Sequence, residues 1–156
     1  MLTIGAYGYT PDGFFTALGE AGVNLFLDVR QRRGMRGSRY AFANSSRLVP
    51  ELEARGIEYR HLKELAPTTE IRKLQRAADA ATKTTKSQRD RLSDTFVAAY
   101  RSWVLDPYDW QTLATGIGDR TPVLFCVERQ PAACHRSLVA ERLATHCHVN
   151  VLHLSP

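Results

Sequence analysis

Within eleven residues the chain sets out two thiols, a carboxylate, an imidazole and a guanidinium. They are Cys126, Glu128, Cys134, His135 and Arg136, in the stretch VLFCVERQPAACHRSLVAERL. Glu128 and His135 are candidate general acids or bases, the imidazole because it titrates close to neutrality. Cys134 and Cys126 are candidate nucleophiles or redox groups wherever a thiolate can be stabilised. Arg136 offers a planar fork of donors that suits a phosphate or carboxylate. Each residue also has a plainer role. A free cysteine commonly serves as a small core hydrophobe. Glu128 can simply hold an arginine, Arg136 can pair with Glu128 or Asp28, and His135 can donate to a loop carbonyl.

A strand followed by a helix must position these groups. Val123-Leu124-Phe125 is an apolar run of the kind that makes a strand buried on both faces. Pro131 suits the first turn of a helix, and Val139, Leu143 and Cys147 follow at helical spacing. Cys126 and Glu128 then sit at the carboxyl end of the strand, with Cys134, His135 and Arg136 in the first helical turn. The helix dipole and neighbouring charges favour a thiolate at Cys134 there, so Cys134 is expected to be the more reactive of two reduced thiols. The same helix start has open N–H groups, which together with Arg136 and Arg30 would make an anion site. No metal centre and no cofactor is expected. The cysteine spacing fits neither a zinc ribbon nor a finger, and adjacent residues on a helix point about 100° apart, which separates Cys134 from His135. His146, Cys147, His148 and His153 read as a helix end followed by alternating strand positions.

The remainder of the chain alternates strands and helices. Leu2 to Tyr7 reads as the first strand, and a helix carrying Phe14, Phe15 and Leu18 follows, with Asp12 as its cap and Gly22 at its end. Asn24 to Arg30 is a second apolar strand ending on Asp28 and Arg30. Gln31 to Arg39 is the most basic segment, with Arg32, Arg33, Arg36 and Arg39 interrupted by glycine; it is either a solvated loop or an anion-binding one. A helix around Leu48 and Leu52 leads to a third strand, Ile57 to Leu62, with alternating polarity. Residues 68–105 read as a helical insertion, its two helices separated by a linker or frayed turn at 80–87. A further helix starts after Pro107, the fourth strand is Thr121 to Cys126, and His148 to Leu154 makes the fifth.

Such alternation argues a single α/β domain over residues 1–156, built on a mostly parallel, doubly wound sheet of about five strands in three layers. The simplest strand order is 3-2-1-4-5. Ligands of open parallel sheets bind in the crevice outside the carboxyl ends, where the winding reverses. Tyr7, Tyr9, Asp28, Arg30 and the basic loop would meet the cysteine–histidine stretch at that crevice.

Composition narrows the classes. With 156 residues the chain is long enough for one real core. No apolar run approaches the length of a membrane span, and the amino terminus lacks a signal core, so no membrane partner is expected. Three cysteines without framework spacing fit a reducing compartment, cytoplasmic by default. The net charge of +5 makes anionic partners plausible, although a mildly basic solvated surface would account for it too. Nothing in the composition bears on oligomeric state.

The segments TIGAYGYTPDGFFTAL, LDVRQRR, GIEYRHLKELAPTTEIR and above all LFCVERQPAACHRSLVA resemble the bacterial domain-of-unknown-function family 488. Its most telling motif is Cys126-x-Glu128 followed by Cys134-His135-Arg136. The chain departs from the family at three places. Gly5-Ala6-Tyr7 stands where Gly-His-Ser is usual, Arg33-Gly34 intervene before Ser38, and Leu65-Ala66-Pro67 stands where Leu-Gly-Gly is frequent. The resemblance implies an α/β fold and a subfamily with its own pocket shape, and carries no reaction.

Two functions follow from the residues. In one, a small enzyme holds a phosphorylated or nucleotide-like compound through Arg30, Arg136, Arg33, Arg36 and Tyr7, while Glu128, His135, Cys134 or Cys126 does the chemistry. In the other, a non-catalytic nucleic-acid-binding module uses the Arg32–Arg39 loop on phosphates and Tyr7, Tyr9 or Tyr40 for stacking.

Overall fold

A computed structural model describes residues 1–85 and 88–156. In chain order the elements are β1 (Leu2–Gly5), α1 (Pro11–Glu20), β2 (Leu25–Asp28), α2 (Ser45–Glu53), β3 (Glu58–His61), α3 (Thr69–Ala81), α4 (Asp94–Tyr100), α5 (Trp110–Ile117), β4 (Pro122–Cys126), α6 (His135–Cys147) and β5 (Leu152–Leu154). A π-helical turn, Arg101–Leu105, continues α4. Thr10 caps α1 by accepting from the Gly13 amide, which leaves Asp12 in the first turn rather than at the cap. Of the stretch 80–87, Ala80 and Ala81 finish α3, while Lys86 and Ser87 lie outside the described residues. No helix among the described residues is long and apolar enough to cross a membrane.

The five strands are all parallel, in the order β3-β2-β4-β1-β5. This corrects the expected order 3-2-1-4-5: β4 takes the centre, and β1 lies between it and β5. The middle of a sheet covered on both faces is the driest position available, and it goes to the strand without a polar residue, PVLFC, whose Val123, Leu124 and Phe125 are fully buried. β1 carries Thr3, whose hydroxyl meets His153 Nδ1 on β5 at 2.7 Å, so its polar side chain needs the edge neighbour. β3, with alternating polarity, and β5, with Leu152 well exposed, form the edges.

Period-two alternation divides the sheet's side chains between two cores. Ile4, Phe26, Val123 and Phe125 pack with α1 and α2. Phe14 centres that layer, its ring 5.2 Å from Phe42 and 5.6 Å from Phe125. Leu25, Leu27, Leu124 and Cys126 face the other way, against α3 to α6. The helices of residues 68–105 complete this second core through Ile71, Phe96 and Tyr100, and the Leu92 amide bonds to the Ala132 carbonyl at 3.0 Å. That bond joins the start of α4 to the loop after β4. The carboxyl ends of β2, β4 and β1 thus lie side by side, with α3 and α4 walling one flank.

Candidate active site

The site begins where β4 ends. Cys126 continues the face of Leu124, so its thiol enters the layer of α3 to α6 and is buried. The loop after it is held to β1: the Ala6 amide donates to the Cys126 carbonyl at 3.2 Å and the Tyr7 amide to the Val127 carbonyl at 2.9 Å. Gly5 is what allows this approach, because a Cβ there would stand 2.1 Å from the Glu128 carbonyl oxygen. A short 3-10 turn, Pro131–Ala133, then brings the chain back to α6.

Cys134 is the N-cap of α6, not a residue of its first turn, and its backbone is extended (φ −133°, ψ 136°). The helical 100° step therefore does not separate its side chain from that of His135, contrary to the geometry read from sequence. One donor atom from each of Cys126, Cys134 and His135 falls within 4.8 Å of the others, all three residues being buried. Ser137 steadies the cap, its hydroxyl donating to the Cys134 carbonyl at 2.9 Å. His135 Nε2 lies 3.0 Å from the carbonyl oxygen of Val29, which can only accept, so Nε2 carries the proton. In the neutral ring Nδ1 is then the bare nitrogen, and it faces Cys126 Sγ at 4.0 Å. Tyr100 supports the ring edge-on, with centroids 5.7 Å apart, and is itself anchored by its hydroxyl to the Leu65 carbonyl at 2.5 Å.

The two thiols differ in character. The hydrogen bond to Cys134 pushes Cys126 well above the ordinary thiol range, and burial and the charge on Cys134 add to it. Burial also pushes Cys134 up, but the bond from Cys126 and the charge of Arg136, joined by the bond and charge of the His135 ring in its protonated form, outweigh it and hold this thiol well down. Both are free thiols.

The two arginines expected to share an anion both make internal bonds, and Arg30 also lines the cleft described below. Arg136 is fully buried and braces the loop: Nη1 donates to the Glu128 carbonyl and Nη2 to the Arg129 carbonyl at 3.1 Å. Arg30 stacks its guanidinium 4.5 Å from the Phe125 ring centre, on the α1–α2 side of the sheet. It binds the fully buried Asp28 with both arms of its fork, at 2.8 and 2.7 Å, and reaches the Ala43 carbonyl with Nη1 at 2.8 Å. Asp28 also accepts from the Tyr59 hydroxyl at 2.8 Å, and that hydroxyl takes a bond from Arg33 as well. This cluster pins the start of the basic loop.

Above the thiols and imidazole opens a cleft of about 690 Å³, with Cys126, Cys134 and His135 among its lining residues. Arg32 and Arg36 reach it from the basic loop, Arg72 and Arg76 from α3, and Arg89 from the segment before α4. Burial lowers the Arg72 pKa, and the charges of Arg32 and Arg76 lower it further, a sign of how closely the guanidiniums crowd. Asp79 meets Arg89 at 3.6 Å, and Glu128 is another acidic lining residue. Tyr7 and Tyr40 form part of the wall, rings 4.9 Å apart, whereas Tyr9 is buried beside Phe14. Arg72, Arg76 and Arg89 went unnoticed in the sequence. The signal present was the Arg72–Arg76 spacing of one helical turn beside buried Ile71 and Gln75, which by itself reads as a solvated face.

The family model described as Domain of unknown function DUF488 matches residues 10–143. Neither the curated proteins nor the solved structures contain a match.

Proposed function

Because this chain belongs to the Domain of unknown function DUF488 family, whose description carries no reaction, we propose its function from the cleft alone: a small enzyme acting on a phosphorylated or nucleotide-like anion. The observation that carries the reading is the convergence of Arg32, Arg36, Arg72, Arg76 and Arg89 over a floor of two thiols and an imidazole. Guanidiniums so crowded, with few carboxylates among them, repel one another until an anion enters, and a concave wall focuses their field. The arginines hold the substrate's charge. Cys126, Cys134 and His135 lie beneath the reacting atoms, and Glu128 takes or delivers a proton beside them. Free thiols support a reducing setting, the cytoplasm of a bacterial cell.

A second reading rests on one wall. Tyr7 and Tyr40 next to Arg32 and Arg36 suit a single nucleic-acid strand, stacked and charge-neutralised without any reaction. Equilibrium binding separates the two. An enzyme for a small anion binds pyrophosphate or a nucleoside monophosphate saturably at one site, and Glu128→Gln keeps that affinity while turnover falls by about 10² to 10⁴. A binding module takes up any oligonucleotide, with an affinity that drops steeply with salt. Failure of every phosphorylated compound to bind would sink the enzyme reading.

A further inference from the structure

We propose that Cys126, Cys134 and His135 bind one divalent zinc-type cation, whose fourth position opens onto the arginine cleft. Three observations point to it. The first is spacing. In a tetrahedral zinc site, bonds of about 2.3 Å to sulfur and 2.0–2.1 Å to nitrogen put neighbouring ligand atoms roughly 3.5–3.8 Å apart. Here the three donors already lie within 4.8 Å of one another, and the Nδ1 to Cys126 separation of 4.0 Å is long for a hydrogen bond yet close to that ligand-to-ligand distance.

The second is the histidine's orientation. Nε2 donates to the Val29 carbonyl at 3.0 Å, which fixes the tautomer and turns the bare Nδ1 toward the thiols. A backbone carbonyl behind the far ring nitrogen is how metal-binding histidines are commonly aimed. The third is the balance of charge in a dry place. Two thiolates, a neutral imidazole and a divalent cation sum to zero, so the buried cluster is neutral once loaded. Loading releases the thiol protons that remain to solvent. All three residues are buried, and the cleft that they line supplies a direction for a further ligand.

The proposal deepens the enzyme reading and its role rests on that reading: an oxygen of an arginine-held anion, or a water beside it, would complete the coordination. Binding of the metal itself does not require the anion. The test uses the full chain, stripped with a chelator under a thiol reductant and titrated with Co²⁺ and then Zn²⁺ without any phosphorylated compound. One Co²⁺ per chain is expected, with sulfur-to-cobalt charge transfer in the near ultraviolet and the intense visible bands of a tetrahedral site. Zn²⁺ should bleach them stoichiometrically. Cys126→Ser and Cys134→Ser should each lose about half of the charge-transfer intensity. His135→Gln should keep it while weakening Co²⁺ by more than the roughly 10- to 100-fold that a supporting residue costs.

If those variants do not fold, X-ray absorption on the zinc-loaded wild type must give two sulfur neighbours and at least one nitrogen. Absence of one-to-one binding, or a spectrum that survives the Cys126→Ser/Cys134→Ser double change through the histidines near Cys147, overturns the proposal. Pyrophosphate added afterwards should shift the cobalt bands. Bands that form but ignore pyrophosphate leave the metal and remove its link to the anion; pyrophosphate that binds to metal-free protein while no cobalt band ever forms does the reverse.

Discussion

His135 donates Nε2–H to the carbonyl of Val29 across 3.0 Å, and so ties the first residue of α6 to the end of β2, a strand 106 positions earlier. The bond crosses the sheet end just where the cleft has its floor. Val29's own amide is spent on the Phe125 carbonyl at 3.2 Å, so β2, β4 and α6 meet around one residue.

His135→Ala leaves that carbonyl buried without its donor and opens space beside Tyr100. The expected loss of stability is about 1–3 kcal/mol, the cost of an unsatisfied buried acceptor. Urea unfolding checks it through a lower midpoint at unchanged slope. A midpoint equal to that of the wild type would mean that the tie carries no weight.

Asp28 and Arg72 should separate cleanly in their effects. Asp28→Asn breaks a buried bidentate pair and strands the Arg30 charge, at a cost of about 3–5 kcal/mol. Arg72→Leu removes a partly exposed cleft cation, so the fold should keep its stability while pyrophosphate affinity falls about tenfold, ~1.4 kcal/mol. Calorimetry of both variants, for unfolding and for binding, gives the four numbers. An Arg72→Leu protein with unchanged affinity would move the anion away from α3.

Gly5→Ala tests the close approach of β1 to the loop after β4. The added Cβ would stand 2.1 Å from the Glu128 carbonyl oxygen, and backbone has to move to admit it. Overpacking of this kind costs about 1–3 kcal/mol or more. Since the same carbonyl is what Arg136 braces, the thermal midpoint and the spacing of Cys126 from Cys134 should both change.

Tyr59 makes the fold sensitive to alkali. Burial, then the charge of Asp28 and the bond to it, push its hydroxyl up from 10.0 to about 12. Folding therefore favours the neutral phenol, so its contribution is whole below pH 10.0 and fades as the pH rises through about 12. The stability difference between wild type and Tyr59→Phe should hold constant up to that window and shrink within it. A difference that stays flat across the window would show Tyr59 titrating normally.

Much of this was written locally. Apolar runs such as LFLD and PVLF suit strands buried on both faces, and the glycines and helix-start residues between them argue for alternating helices and a parallel sheet. Cys126, Cys134, His135 and Glu128 were legible as a group because they fall within ten residues around one strand–helix junction. What sequence could not decide was competition between distant segments. β4 rather than β1 occupies the centre because burial on both faces rewards the strand with no polar side chain, a comparison no single segment contains. The orientation of Cys134 depended on an extended N-cap in place of a helical residue, a matter of two backbone angles. Sequence could not show that Asp28 pairs with Arg30 and that two loop carbonyls hold Arg136, nor that Arg72, Arg76 and Arg89 share the cleft with Arg30, which they do only because α3 and α4 fold over the sheet end. Charge and thiol chemistry are properties of residues; which charge meets which thiol is set by the burial that long-range packing alone provides.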